Sequence, residues 1–148
     1  MPKIAVVQSA DDSLGLFVTR AARELSRAFE DTLVAAGGST PTWLVLLALS
    51  DGPHATQREL AEAVGVRQPT LVHHLDALER AGLVTRDRGP SNRRVQQVRL
   101  TDAGERLFLR LRRAASSFDG RLRAGLGEDD VADLRRLLGQ LVENAQPD

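Results

Sequence analysis

From position 12 to 36 apolar residues recur at Leu14, Phe17, Val18, Ala21, Leu25, Ala28, Phe29 and Leu33. That three-and-four spacing lines one face of a long helix, and Gly37-Gly38 ends it. Ser39 or Thr40 then caps a second helix with Pro41 in its first turn, where a missing N–H costs nothing. Trp43, Leu44, Leu46, Leu47 and Leu49 make this helix strongly apolar, so it is expected to be buried. Asp51-Gly52-Pro53 stops it. Thr56-Gln57-Arg58-Glu59 has the form of a capping box, the Thr hydroxyl facing the Glu59 amide and the carboxylate reaching back. A short helix to Val64 follows, Gly65 supplies a turn, and Gln68-Pro69-Thr70 opens a helix with Leu71, Leu75 and Leu78 inward. Two short helices around a glycine turn outline a helix-turn-helix.

After Gly82 the period shortens to that of a strand. Leu83 to Arg86 reads as one strand, Gly89-Pro90-Ser91-Asn92 as a turn, and Gln97 to Leu100 as the returning strand. Thr101 caps a fifth helix with Leu107, Phe108, Leu111, Ala115, Phe118 and Leu122 on one face. Gly125 and Gly127 break it. A last helix, from about Glu128 to Glu143, turns Val131, Leu134, Leu138, Leu141 and Val142 inward. The fold class is mainly α with one small β-hairpin.

Composition changes this picture in two ways. Aromatic residues are only 3% of the 148, so the core rests on Leu, Val and Ala. Formal net charge is zero, but it is unevenly spread. Between His54 and Leu100 eight arginines face five acids, whereas between Leu126 and Asp148 six acids face two arginines. A binding face for a polyanion needs local positive potential, which the first of these stretches supplies. Cysteine is absent, which excludes disulfides, thiolate metal sites and thiol redox sensing. No run of 18 or more apolar residues occurs, and no basic-then-apolar leader opens the chain; the expectation is a soluble, cytoplasmic protein without a membrane segment.

Three stretches carry more specific information. The first is Thr56-Gln57-Arg58-Glu59-Leu60-Ala61 leading to Gln68-Pro69-Thr70-Leu71-Val72-His73-His74-Leu75. The second is Leu78-Glu79-Arg80-Ala81-Gly82-Leu83-Val84, and the third runs from Asn92-Arg93-Arg94 to Leu100-Thr101-Asp102-Ala103-Gly104. In this order and spacing the chain resembles the MarR family of winged-helix regulators over nearly its whole length. The resemblance implies a winged helix-turn-helix over 39–100 and a helical dimerisation domain built from 1–38 and 101–148. It further implies a homodimer, double-stranded DNA as partner, and a pseudo-palindromic operator. A twofold dimer sets the half-sites about one turn, roughly 10 bp, apart.

The residues fit a DNA reader on physical grounds as well. The helix opened by Gln68 would enter the major groove, where its first side chains reach base edges. Gln68 can pair with an adenine edge in bidentate fashion, the Thr70 hydroxyl can serve base or phosphate, and His73 can donate or accept. Pro69 fixes the first turn, and Arg67 just before it is in reach of phosphate. Thr56 and Gln57 open the preceding helix beside the backbone. At the hairpin tip Arg88, Asn92, Arg93 and Arg94, with Arg86 behind them, are placed for phosphate or a narrow minor groove. For Arg86 and Arg88 a solvated surface charge is an equal alternative. The family's wing motif has an acid two residues before the inserted Arg; here Asn92 takes that place and Arg94 matches the Arg, so one ion pair is lost.

Other residues invite competing assignments. His74 shares the face of Leu71, Leu75 and Leu78, which favours a hydrogen-bonded core histidine over a DNA contact. Neighbouring histidines on a helix diverge by about 100°, so His73 and His74 make a poor metal pair, and neither metal nor cofactor is expected. Members of the family bind small aromatic or phenolic anions in a cleft between their two domains; by that resemblance Arg20, Trp43 and Phe108 are candidate liners. Plain core packing is the alternative for Trp43 and Phe108. No nucleophile with its base and no phosphate-cradling loop is present: Ser116 and Ser117 have no histidine in their segment, and Gly37-Gly38 lacks the rest of a phosphate motif. The expectation is a regulator and not an enzyme. A winged helix serving protein contacts is the other class of function considered.

Overall fold

The computed structural model describes residues 13–52, 56–88 and 96–147. Its elements in chain order are α1 (Leu14–Ala35), α2 (Thr40–Ser50), α3 (Gln57–Val64), α4 (Gln68–Arg80), β1 (Val84–Arg88), β2 (Gln96–Leu100), α5 (Asp102–Leu122) and α6 (Glu128–Asn144). The six expected helices are present, four of them with a side-chain cap at the start. Side-chain oxygens of Ser13, Ser39, Thr56 and Thr101 each accept the hydrogen bond that starts a helix, satisfying an amide with no partner inside the helix.

Helix α2 is apolar on all sides and sits at the centre, packed against α1, α3, α4, α5 and β2. Val45 and Leu46 are fully buried and Ala48 is buried, while Trp43, Leu44, Leu47 and Leu49 remain half-buried on its flanks. Around it gather Leu60, Ala61 and Val64 of α3, Leu71, Leu75 and Leu78 of α4, Val84 of β1, Leu33 of α1, and Leu107 and Leu111 of α5. Each of the larger side chains contributes about 1.5–3 kcal/mol by leaving water.

Two polar joints fix the ends of this core. Glu30 of α1 accepts hydrogen bonds from the Thr40 amide, at 2.7 Å, and from the Thr40 hydroxyl, setting the angle at which α1 enters α2. At the other end the Thr101 amide donates to the Leu83 carbonyl at 3.1 Å and its hydroxyl to the Gly82 carbonyl at 2.6 Å. The first turn of α5 is thereby pressed onto the start of the hairpin. A Cβ at position 104 would lie 2.1 Å from the Leu83 carbonyl oxygen, so only glycine allows that approach.

The strands pair antiparallel with Val84 opposite Leu100 and Arg88 opposite Gln96. They run from 84 to 88 and from 96 to 100, so the first extends two residues beyond its expected end. Helix α6 departs from expectation in a more instructive way. Its apolar row was expected to face inward, yet it has no buried residue and packs extensively against no other element. Among the described residues no single helix is long and apolar enough to cross a membrane.

Candidate nucleic-acid interface

The sharp turn between α3 and α4 depends on Gly65, whose φ of 81° lies in the left-handed region open to glycine. Its amide returns to the Ala61 carbonyl at 2.9 Å and that of Val66 to the same oxygen at 3.0 Å. This turn aims the first residues of α4 outward. Arg67, Gln68, Pro69, Thr70 and His73 are all exposed, while Leu71 and Leu75 are fully buried and Leu78 nearly so. No side chain caps α4. Its leading amides therefore point at solvent and form a site suited to an anion such as phosphate.

The α3 end is arranged differently. Thr56 and Gln57 are half-buried, and the Thr56 oxygen accepts the Glu59 amide at 3.1 Å. This hydroxyl is occupied as an acceptor and keeps only its proton for a phosphate. His74, expected as a hydrogen-bonded core residue, is half-buried and meets the His73 ring at 6.0 Å with a 54° tilt; it has no hydrogen-bond partner among the described residues. No group of three or more possible metal ligands gathers among those residues.

The arginines of the hairpin divide. Asn92, Arg93 and Arg94 lie outside the described residues, and Arg88 is fixed by its backbone at the end of β1. Arg86, expected as a DNA contact or a solvated surface charge, is turned toward α4. Its side chain is 7% exposed and forms ion pairs with Asp76 and, at 3.1 Å, with Glu79, both on α4. Burial disfavours its charged form, but the hydrogen bonds to the two carboxylates outweigh this and raise its pKa. The hydrogen bond from Arg86 lowers the pKa of Asp76, and the charges of Arg86, Arg80 and His73 act in the same direction against partial desolvation. This arrangement was not read from the sequence, although Asp76 and Glu79, three residues apart on one helix face, were its available signal.

A cleft opens between α2 and α5. Trp43 and Phe108 stack on its wall with ring centres 5.7 Å apart and planes within 13°. On one side of Phe108 is a cavity of about 440 Å³ that also reaches Leu47, Ser116 and Arg112. On the other, a cavity of about 520 Å³ reaches Leu49, Val98, Arg99 and Glu105. Arg20 lines neither of these two cavities, whose arginines are Arg112 and Arg99. Arg112, four residues after Phe108, was legible as sharing its helix face.

Comparison with known proteins agrees with this geometry. The family model described as "MarR family" matches residues 39–95. A structure of the transcriptional repressor CouR bound to a 23-mer DNA duplex is 31% identical, with a TM-score of 0.78 over 88% of this chain and 92% of that one. CouR bound to p-coumaroyl-CoA is 30% identical, with a TM-score of 0.74 over 88% and 91%. A MarR-family regulator from Rhodococcus sp. RHA1 is 25% identical, with a TM-score of 0.73 over 90% and 96%. With its helix-turn-helix, hairpin and flanking helices in the same order as these relatives, the chain belongs to the MarR family of DNA-binding transcription regulators.

Proposed function

We propose that this protein is a homodimeric repressor which reads an imperfect palindrome with the leading turns of two α4 helices. In this reading 39–100 forms the DNA-binding domain and 1–38 with 101–148 the dimerisation domain. The observation that carries it is the division of α4 into a buried leucine row and an exposed polar start. Gln68, Thr70 and His73 face the groove there, and Arg67 and the free amides face phosphate; by their place in the sequence Arg88, Arg93 and Arg94 would add charge. The likeness to CouR, solved bound to a DNA duplex, supports DNA as the partner. The protein acts in the cytoplasm, where a bacterial operator lies, and does so by binding alone.

A second copy is called for by the apolar residues that this chain leaves uncovered. Phe17 and Leu25 of α1, Leu122 of α5 and Leu134, Leu138 and Val142 of α6 are each at least 40% exposed, more apolar surface than a lone soluble chain tolerates well. The cleft beside Trp43 and Phe108 is suited to a flat aromatic or phenolic anion, stacked on the rings and neutralised by Arg112 or Arg99. The p-coumaroyl-CoA complex of CouR supports an effector of that chemistry. Its binding would release DNA by favouring a different separation of the two reading helices.

Selection of bound duplexes from a random pool tests the whole proposal. The recovered sites should be pseudo-palindromic, with affinity falling steeply as salt rises. Gln68→Ala should then relax the preference at one position per half-site by about 1–3 kcal/mol. Recovery of no consensus, or a protein that stays monomeric at micromolar concentration, would refute it.

A further inference from the structure

Arg86 differs in kind from the other arginines of the reading half whose side chains are described. Arg58 also pairs with a carboxylate, Glu62, but stays 81% exposed, as an ordinary surface pair of small energetic weight does. Arg86 instead spans two elements, from the middle of β1 to Asp76 and Glu79 in the second half of α4. Its planar fork can hold two carboxylates three residues apart, which a lysine ammonium cannot do with the same geometry. A two-stranded hairpin is marginally stable by itself. Val84, Leu100 and Val98 hold this one against the core, and Arg86, opposite Val98, adds a polar tie from β1 to α4.

We propose that Arg86 is a positioning residue for sequence reading: by clamping β1 to Asp76 and Glu79 it makes hairpin and reading helix meet DNA as one rigid body. This rests on the DNA-reading function proposed above. The clamp has an electrostatic side as well. Asp76 shares the exposed face of α4 with His73 and Arg80, whose charges it feels, and an unpaired carboxylate there would repel phosphate. Arg86 offsets one of the two negative charges of the Asp76 and Glu79 pair.

The two roles act on different quantities, overall affinity for charge and the specificity ratio for the clamp, which makes the clamp testable. Asp76→Asn combined with Glu79→Gln removes two negative charges, from side chains 51% and 42% exposed, where the fold tolerates substitution. Charge alone predicts tighter binding to every duplex. The clamp predicts that the ratio of affinities for the selected site and a scrambled duplex, measured by fluorescence anisotropy at fixed salt, falls about tenfold, within the range of coupled sites. Arg94→Ala should weaken binding in the parent and lose most of that effect in the double variant, because the hairpin is already misplaced. Arg86→Lys, which keeps charge and stem but not the fork, should show the same loss of coupling. An unchanged ratio, together with an equal cost of Arg94→Ala in all three backgrounds, overturns the clamp while leaving DNA reading intact. If Arg94→Ala costs nothing even in the parent, the hairpin does not touch DNA and the proposal for the clamp fails with it.

Discussion

Helices α4 and α6 are both amphipathic, yet their apolar rows meet different fates. On α4, Leu71, Leu75 and Leu78 are at most 5% exposed; on α6, Leu134, Leu138 and Val142 range from 40% to 61%. The same contrast holds between the regions they belong to. The segment from α2 to β2 closes a core around α2 with its own side chains, assisted by Leu33, Leu107 and Leu111. Helices α1, α5 and α6 carry apolar faces longer than this core can cover. A hydrophobic stripe commits a helix to burial, but it does not say against what. For α4 the cover lies within the chain, and for α6 it does not lie among the described residues.

The most severe way to break this comparison is to charge the uncovered row. Leu138→Asp should leave helix content intact in circular dichroism while halving the sedimenting mass. It should cost DNA affinity at least about a hundredfold, because two linked half-site contacts become one. An unchanged mass would show that α6 is not part of a dimer interface. The equivalent assault on the covered row is Leu71→Ala, expected to cost about 2–5 kcal/mol by chemical denaturation. Its effect on dimerisation should be small next to that of Leu138→Asp.

Gly104→Ala probes the joint between the regions. The added methyl would overlap the Leu83 carbonyl, a backbone atom that cannot rotate away, and overpacking of this kind costs about 1–3 kcal/mol. Thermal melting should show the loss, and a variant as stable as the parent would mean that α5 and the hairpin are not rigidly joined. The smallest effect concerns pH. Because the pKa of Asp76 is lower folded than unfolded, its contribution is complete above the unfolded value and is lost as pH falls through the folded one. Below about pH 4, the ordinary range of an aspartate, the parent should lose more stability than Asp76→Asn. Urea midpoints that fall in parallel for the two proteins would show that the pair adds nothing to folding.

Much of this was legible in the chain itself. Helix ends were readable because their signals are local: an oxygen at Ser39, Thr56 or Thr101 three residues before the amide it caps, and glycine at 65 where φ must be positive. The polar start and leucine row of α4 were legible for the same reason, and with them the candidate DNA-reading face. Trp43 and Phe108, expected either as ligand liners or as plain core, stack on each other and line a cavity. Arg20 was expected there too; it lines neither of the two cavities, and Arg112 and Arg99 reach them through packing of elements distant in sequence. The inward turn of Arg86 was hidden because an arginine in a basic stretch looks the same whether it faces phosphate or a carboxylate seven residues back.

Sequence alone thus determined the elements, their caps, the side of each helix that shuns water, and the family; all of these follow from interactions spanning a few residues. Tertiary structure alone decided which arginine is held inside, which cations reach the cleft, and which apolar row stays uncovered. Those outcomes depend on where separate elements come to rest against one another, and a periodic pattern carries no record of that.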